Sequence, residues 1–554
     1  MLKNILAILL SLSLTSAVQA ASPITLLAQQ CLQYEVVLDN NGLNDAAENA
    51  VALERQLIGL FNLKDSVNYY RQFSVNSEDK ELLLQCQLRL ADEFAALAQH
   101  PKVEILSQQL QQSASAHEQR LGQRLSQLIA RQTSLKLKAI LHTTEAGIKH
   151  ALGQQSLSLV IGEHRCSLPS DETAQVENSA PFSESIATYL IEQQDSQCRQ
   201  QVWQAYQLRA KDKNQQALQH LLDAKQQIAA QHGFPDYAHY ALAGQQLSTP
   251  ELVNQFLDAI TQTASAPWDI GQTLSVASTT PIEPIFSQVL LQKIYQELAV
   301  FDVTIEEVDP QVLRVWHKRR LLGDIYLSQA NTPKAQRVRQ SVIGHQFGQV
   351  SLAFPDVLTD YRSQQQLIYA LSETLAQLIK GGHYYLLNTL GDSQDSNEVG
   401  QHWLSLYLSY KLLPAVTDGS REDYLYRYAT QLKVFRSKLA LGFYQGALTP
   451  QKYQNEFELS FNQTWPQAQD AVYSFTGIIN QGPLYYQSLW QKSLAQLIFH
   501  QNKDHQYQQR LFSTLMINET QQSFSQQLAT IFERPVSPSS LIERIQDDQR
   551  SYAF

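Results

Sequence analysis

The chain has 554 residues, 44% of them hydrophobic, and a formal net charge of -10 at pH 7. That is enough apolar material for a large core and more than one subdomain, and it excludes a natively disordered chain. No run of Lys and Arg forms a phosphate-tracking stripe, so nucleic acid is not an expected partner. No segment approaches the roughly 20 uninterrupted apolar residues that cross a bilayer, so the protein is not expected to be membrane-embedded.

At the N-terminus, Lys3 precedes an apolar run from Ile5 to Leu14, and the small-residue sequence Val18-Gln19-Ala20 follows. This pattern predicts a signal peptide over 1–20, cleaved near Ala20, and a periplasmic or secreted mature protein. The four cysteines, Cys31, Cys86, Cys166 and Cys198, form no CxxC motif. In an oxidising compartment they are expected to form disulfides. The sequence does not determine the pairing; Cys31 with Cys86 and Cys166 with Cys198 is the economical arrangement. Each would close a loop worth about 3 to 4 kcal/mol in chain entropy.

Leu83, Cys86, Leu90, Phe94 and Leu97 recur at spacings of three and four and predict one face of a helix. Helical periodicity continues from Arg120 to Leu141, with Gln108-Gln109 and Gln111-Gln112 on solvated faces. Between Ser156 and Ser170 an alternating stretch predicts a short strand, and a polar link from Asp171 to Pro181 follows. Amphipathic segments then dominate, broken at Pro235, Pro250, Pro281, Pro333 and Pro355. The expectation is a mainly α protein with a small β element. An N-terminal helical region would cover 21–150 and a second region 151–554.

From about residue 150 onward a series of short patterns runs in one order. Leu221–Leu242 places a helix, a Gly-aromatic turn and the segment YAHYAL in succession. Ala266-Pro267-Trp268-Asp269, Val315-Trp316-His317 and Gly323-Asp324-Ile325-Tyr326-Leu327 come next. Near the end stand Tyr485-Tyr486-Gln487-Ser488-Leu489-Trp490 and the closing Phe532–Ile542. In this order the patterns resemble the thimet-oligopeptidase-like zinc metallopeptidases. The resemblance implies a helical two-lobed shell around a deep channel, zinc as cofactor and peptides as substrates.

That family carries HEFGH on a helix, in which two His one turn apart bind zinc and the Glu activates the bound water. The resemblance sets His345, Gln346, Phe347, Gly348 and Gln349 against it. Gln346 then stands at the general-base position without a basic carboxylate, a loss worth roughly 100- to 10,000-fold in rate. Gln349 stands at a ligand position with a weak donor, leaving His345 as a vestigial ligand. The family's third ligand is a Glu on a later helix, and Glu373 is the first acid of that type. The His that precedes the paired tyrosines in the family is absent, its place reading Phe475-Thr476. Tyr485 and Tyr486 correspond to residues that line the substrate channel. His317, His383 and His402 have no HxxxH partner and read as structural histidines.

The resemblance therefore implies a zinc metalloendopeptidase ancestry, and the substitutions imply a pseudopeptidase that binds peptides or a protein partner without cleaving them. Two alternatives stand beside it. One is a residual zinc metallo-oligopeptidase with a metal site rebuilt around His345 and Glu373; the other is a structural scaffold with a closed channel.

Overall fold

The computed structural model describes residues 22–37, 45–73, 76–130, 135–153, 166, 182–390, 393–501 and 504–552. The signal peptide, the strand expected over 156–170 apart from Cys166, and the link over 171–181 lie outside the described residues. The chain divides into two compact units, residues 1–130 with 337–339, and residues 131–336 with 340–554.

The first unit is helical: α1 (Pro23–Leu32), α2 (Ala46–Tyr70), α3 (Ser77–Ala98), α4 (Pro101–Gln111) and α5 (Ala116–Ala130). The starts of α1, α2 and α3 are capped by the side chains of Ser22, Asp45 and Asn76, which accept backbone N–H groups that the helix leaves unpaired. Leu83, Cys86, Leu90 and Leu97 are buried on α3, as their spacing predicts. Cys31 on α1 is bonded to Cys86 on α3.

The second unit is also mainly helical. It opens with α6 (Leu135–Gly153), α7 (Phe182–Glu192), α8 (Ser196–Leu208) and α9 (Lys211–Gln231). Cys166 is bonded to Cys198 on α8, so both economical pairings form. Trp203 of α8 lies 4.9 Å from Trp465 and 5.5 Å from Trp268, ring centre to ring centre. The neighbouring Asp269 accepts from Arg199 Nη2 at 2.6 Å, and Arg199 also donates to the carbonyls of Gln193 and Gln194. The Pro267-Trp268-Asp269 element thus locks the start of α8 in place through an aromatic cluster and an ion pair.

The chain also forms a five-stranded sheet of β1 (Val303–Asp309), β2 (Val312–His317), β3 (Arg320–Gln329), β4 (Lys334–Arg339) and β5 (Gly348–Phe354), in the order β1-β2-β3-β5-β4; residues 337–339 of β4 are counted in the first unit. β1, β2 and β3 form an antiparallel meander, and β3 pairs parallel with β5 through Gly323↔Gly348 and Ile325↔Val350. A side chain at Gly323 would put its Cβ 2.1 Å from the Gly348 carbonyl oxygen, and φ there is +157°, so only glycine fits.

The long helices that follow are α10 (Tyr361–Ile379), α11 (Val399–Leu412), α12 (Arg421–Tyr444), α13 (Pro450–Phe461) and α14 (Gln487–Gln501). α10 begins with a capping box: Asp360 accepts from the Ser363 N–H at 2.7 Å while the Ser363 hydroxyl engages the Asp360 N–H at 3.2 Å. Leu367, Ile368, Leu371, Leu375 and Leu378 bury one face of α10 in the main core. Tyr369, Glu373 and Gln377 recur every fourth residue and form a separate, half-buried stripe.

Candidate functional site

The segment set against HEFGH is not helical. Val342 and Gln346 pair backbone to backbone across a tight turn, with N–H to O distances of 2.9 Å in both directions. His345 is exposed at that turn, and Gly348 already begins β5. The amide of Gln346 donates to the Gln340 carbonyl at 2.8 Å, and that of Gln349 donates to the Tyr326 hydroxyl at 2.8 Å. A turn running into a strand does not stack positions 345 and 349 on one face as a helical turn does. These three side chains are not assembled into a site with each other or with Glu373.

Glu373 lies elsewhere, on the polar stripe of α10, where Gln377 Nε2 donates to its Oε1 at 3.2 Å. This stripe faces the first turn of α11. The Tyr369 ring lies 5.7 Å from that of His402, and His402 Nε2 is 3.8 Å from Glu398 Oε2, one turn earlier on α11. Burial, together with the Glu398 charge, raises the Glu373 carboxyl above its ordinary value. Burial pushes the Tyr369 hydroxyl up to about 12, with Glu398 and Glu373 adding to the effect.

Two lysines complete the cluster. Lys433 of α12 donates to the Ser488 hydroxyl, and its Nζ lies 5.2 Å from the centre of the Tyr485 ring. Lys492 stands one helical turn after Ser488 on α14, which brings its ammonium to the same region. Burial lowers both lysines; Lys492 lowers Lys433 further, while Glu398 acts in the opposite direction on both. His402 is lowered to about 3, first by burial and then by Lys492 and Lys433, so the imidazole is neutral at pH 7. Lys492 is nevertheless open to solvent. Glu373, Glu398, His402, Lys433 and Lys492, with Tyr369 and Tyr485 beside them, form one cluster drawn from α10, α11, α12 and α14.

The paired tyrosines part company. Tyr485 belongs to this cluster: Lys433 lies over its ring, which is 5.2 Å from that of Phe475, and a Cβ added at Gly477 would come within 2.1 Å of it. Tyr486 is fully buried and donates to Asp395 Oδ2 at 2.9 Å, while Asp395 also accepts from the N–H groups of Gln246 and Leu247. The expectation that Tyr486 lines a channel is corrected accordingly: its hydroxyl is committed to a buried carboxylate and no part of it reaches solvent. His317 is buried 6.3 Å from the Phe512 ring and its imidazole is lowered by burial, whereas His383 is exposed.

Sequence reasoning missed Glu398, Lys433 and Lys492, and took His402 for an isolated structural histidine. The Glu398/His402 spacing of four was a legible signal, as was the 369/373/377 stripe. The lysines come from helices distant in sequence and carried none. Among the described residues, no group of three or more His, Cys, Asp and Glu side chains is arranged to hold a metal ion. The donors that do gather, Glu373, Glu398 and a buried His402, share their surroundings with two ammonium groups, and this charge arrangement does not suit a dication.

A family model described as peptidase family M3 matches residues 189–277. That stretch includes α8, α9 and the Trp268-Asp269 element, and over it the resemblance to thimet-oligopeptidase-like metallopeptidases holds. No curated protein sequence matches the chain. Among solved structures, a carboxypeptidase from Pyrococcus furiosus, titled as an apo-Mg form, is similar at 11% identity and a TM-score of 0.47, covering 93% of this chain and 99% of that one.

Proposed function

We propose, with kinship to peptidase family M3 as the premise, that this protein is a pseudopeptidase that binds peptides or a protein partner without hydrolysing them. The observation that carries the reading is the cluster of Glu373, Glu398, His402, Lys433 and Lys492 drawn from α10, α11, α12 and α14. On a helix, the H-E-x-x-H pattern sets its two imidazoles immediately before the glutamate and three residues after it. Glu373 is a helical glutamate with a second glutamate, Glu398, close by at the start of a later helix. Its flanking positions are then Ser372 and Ala376, neither of which binds zinc. In this register the general-base carboxylate and the later-helix carboxylate persist, the imidazoles are gone, and Lys433 and Lys492 supply positive charge to the same place.

Without a metal to polarise a carbonyl, binding at this cluster gives occupancy and not turnover. The setting is an oxidising one, the periplasm or the cell exterior: two disulfides support this, as does the apolar N-terminal run. No helix among the described residues is long and apolar enough to cross a membrane.

The test is elemental analysis of the purified mature protein before and after dialysis against zinc, with a peptide library incubated alongside and read by mass spectrometry. The expected result is zinc well below one equivalent and intact peptides, some of them retained by the protein. One equivalent of chelator-removable zinc together with new peptide termini would reject the reading in favour of a residual metallo-oligopeptidase.

A further inference from the structure

The chain carries ten more acidic than basic residues, yet Lys433, Arg436, Lys492 and Arg209 form a run of neighbouring cations. Lys433 and Arg436 are three apart on α12 and share a face. Lys433 lies over the Tyr485 ring and Arg436 lies 5.1 Å from the centre of the Phe475 ring, and those two rings are themselves in contact. Lys492 adjoins Lys433 through Ser488. Arg209, just past the end of α8, stacks on Tyr206 at 4.0 Å and gives its N–H groups to the carbonyls of Tyr206 and Leu152. None of the four forms an ion pair of 4.0 Å or less among the described residues. Lys492 makes no hydrogen bond there either.

Like charges held together in a desolvated place cost free energy that a bound anion would offset. The neighbourhood reports that cost: Lys433 and Lys492 are lowered, and Arg209 is lowered by burial with Arg436 adding to it. Glu398 is the nearest negative charge, and it is more than half exposed. Nucleic acid is a poor fit, because an acidic protein with Glu398 beside these lysines and Glu373 beside Glu398 repels a polyphosphate chain. A single carboxylate reaching the lysine side is not so opposed. The aromatic rings between the cations supply the apolar contact that a peptide backbone and its side chains need.

We propose that the Lys433, Lys492 and Arg436 face is a carboxylate receptor, so that the peptides this protein binds are held through an acidic side chain or a free C-terminus. The proposal rests on the peptide-binding reading above and names the chemistry of its ligand.

The experiment uses the full mature protein and three fluorescein-labelled peptides of one length: one with two internal glutamates and a free C-terminus, the same peptide amidated, and the same peptide with both glutamates changed to glutamine. Anisotropy titrations are made in about 50 mM and about 500 mM salt, which changes the range of charge–charge attraction several-fold. The first peptide is expected to bind at least about tenfold more tightly than one of the other two, the scale of one charge-assisted hydrogen bond. Loss on amidation assigns the C-terminus, and loss on Glu-to-Gln exchange assigns a side chain. Lys492→Gln should remove that preference. Lys492 is solvent-exposed, so this variant should fold; matching circular dichroism confirms it, and Lys433→Gln is the second variant. Equal binding of all three peptides, or an unchanged preference in both variants, would overturn the carboxylate receptor and leave peptide binding standing. No binding of any peptide would overturn both.

Discussion

His402 gives a titration that can be worked from the structure. The imidazole is 5% exposed, and its Nε2 has no hydrogen-bond partner among the described residues. It faces Tyr369 and Glu373 on α10, Glu398 on its own helix, Lys433 on α12 and Lys492 on α14. Its pKa is lowered to about 3. A depressed value means that the folded protein binds fewer protons than the unfolded chain, so stability is lost as pH falls below the ordinary histidine value near 6.5. Between pH 7 and pH 5 the unfolded histidine takes up its proton and the folded one does not, which costs about 2 kcal/mol. Glu373 works oppositely: its carboxyl is raised, so acidification favours the folded state through that group. The contribution of His402 is therefore isolated by difference. All six tryptophans lie in the second unit, so tryptophan fluorescence during urea unfolding follows that unit alone. Wild type and His402→Phe are compared at pH 7 and pH 5. The pH-dependent loss of stability should be about 2 kcal/mol smaller in the variant. An identical pH dependence in the two proteins would refute a buried neutral imidazole at this position.

Three further outcomes follow from the geometry. Gln346→Glu with Gln349→His restores the letters HEFGH in a turn and strand, and zinc retention measured by elemental analysis should stay at the wild-type level; one equivalent of bound zinc would show that the segment forms a metal-binding helical turn. Tyr486→Phe removes the hydroxyl donor to buried Asp395, and urea unfolding should register a loss of about 1 to 3 kcal/mol; no change would mean that the buried carboxylate does not depend on it. Gly323→Ala forces a Cβ against the Gly348 carbonyl at the parallel β3–β5 pairing. It should cost more than an ordinary surface substitution, which is usually within about 0.5 kcal/mol, and appear as reduced soluble yield and a lower unfolding midpoint.

Much of the fold was legible in the chain because its signals are local. The 83/86/90/94/97 spacing of α3, the Asp360 cap and apolar period of α10, and the strand at Gly323–Leu327 each depend on residues a turn or a pleat apart. The disulfide partners could be chosen by economy because each closes a modest loop, of 55 and 32 residues. The M3-like patterns were legible for the same reason, since Trp268-Asp269 carries its aromatic and its ion-pairing group side by side.

The candidate site was not legible, and the reason is physical. His345-Gln346-Phe347-Gly348-Gln349 has the lettering of a helical motif, but parallel pairing of Gly348–Phe354 with β3 captures its second half as strand, and tertiary pairing overrides the local pattern. What replaced it is built from Glu373, Glu398, His402, Lys433 and Lys492, drawn from four helices over about 120 residues of chain. Sequence alone determined which helix face each of these occupies. Only the packing of α10, α11, α12 and α14 decided that those side chains meet in one cluster, because charge acts through space and helical periodicity does not record which helices become neighbours.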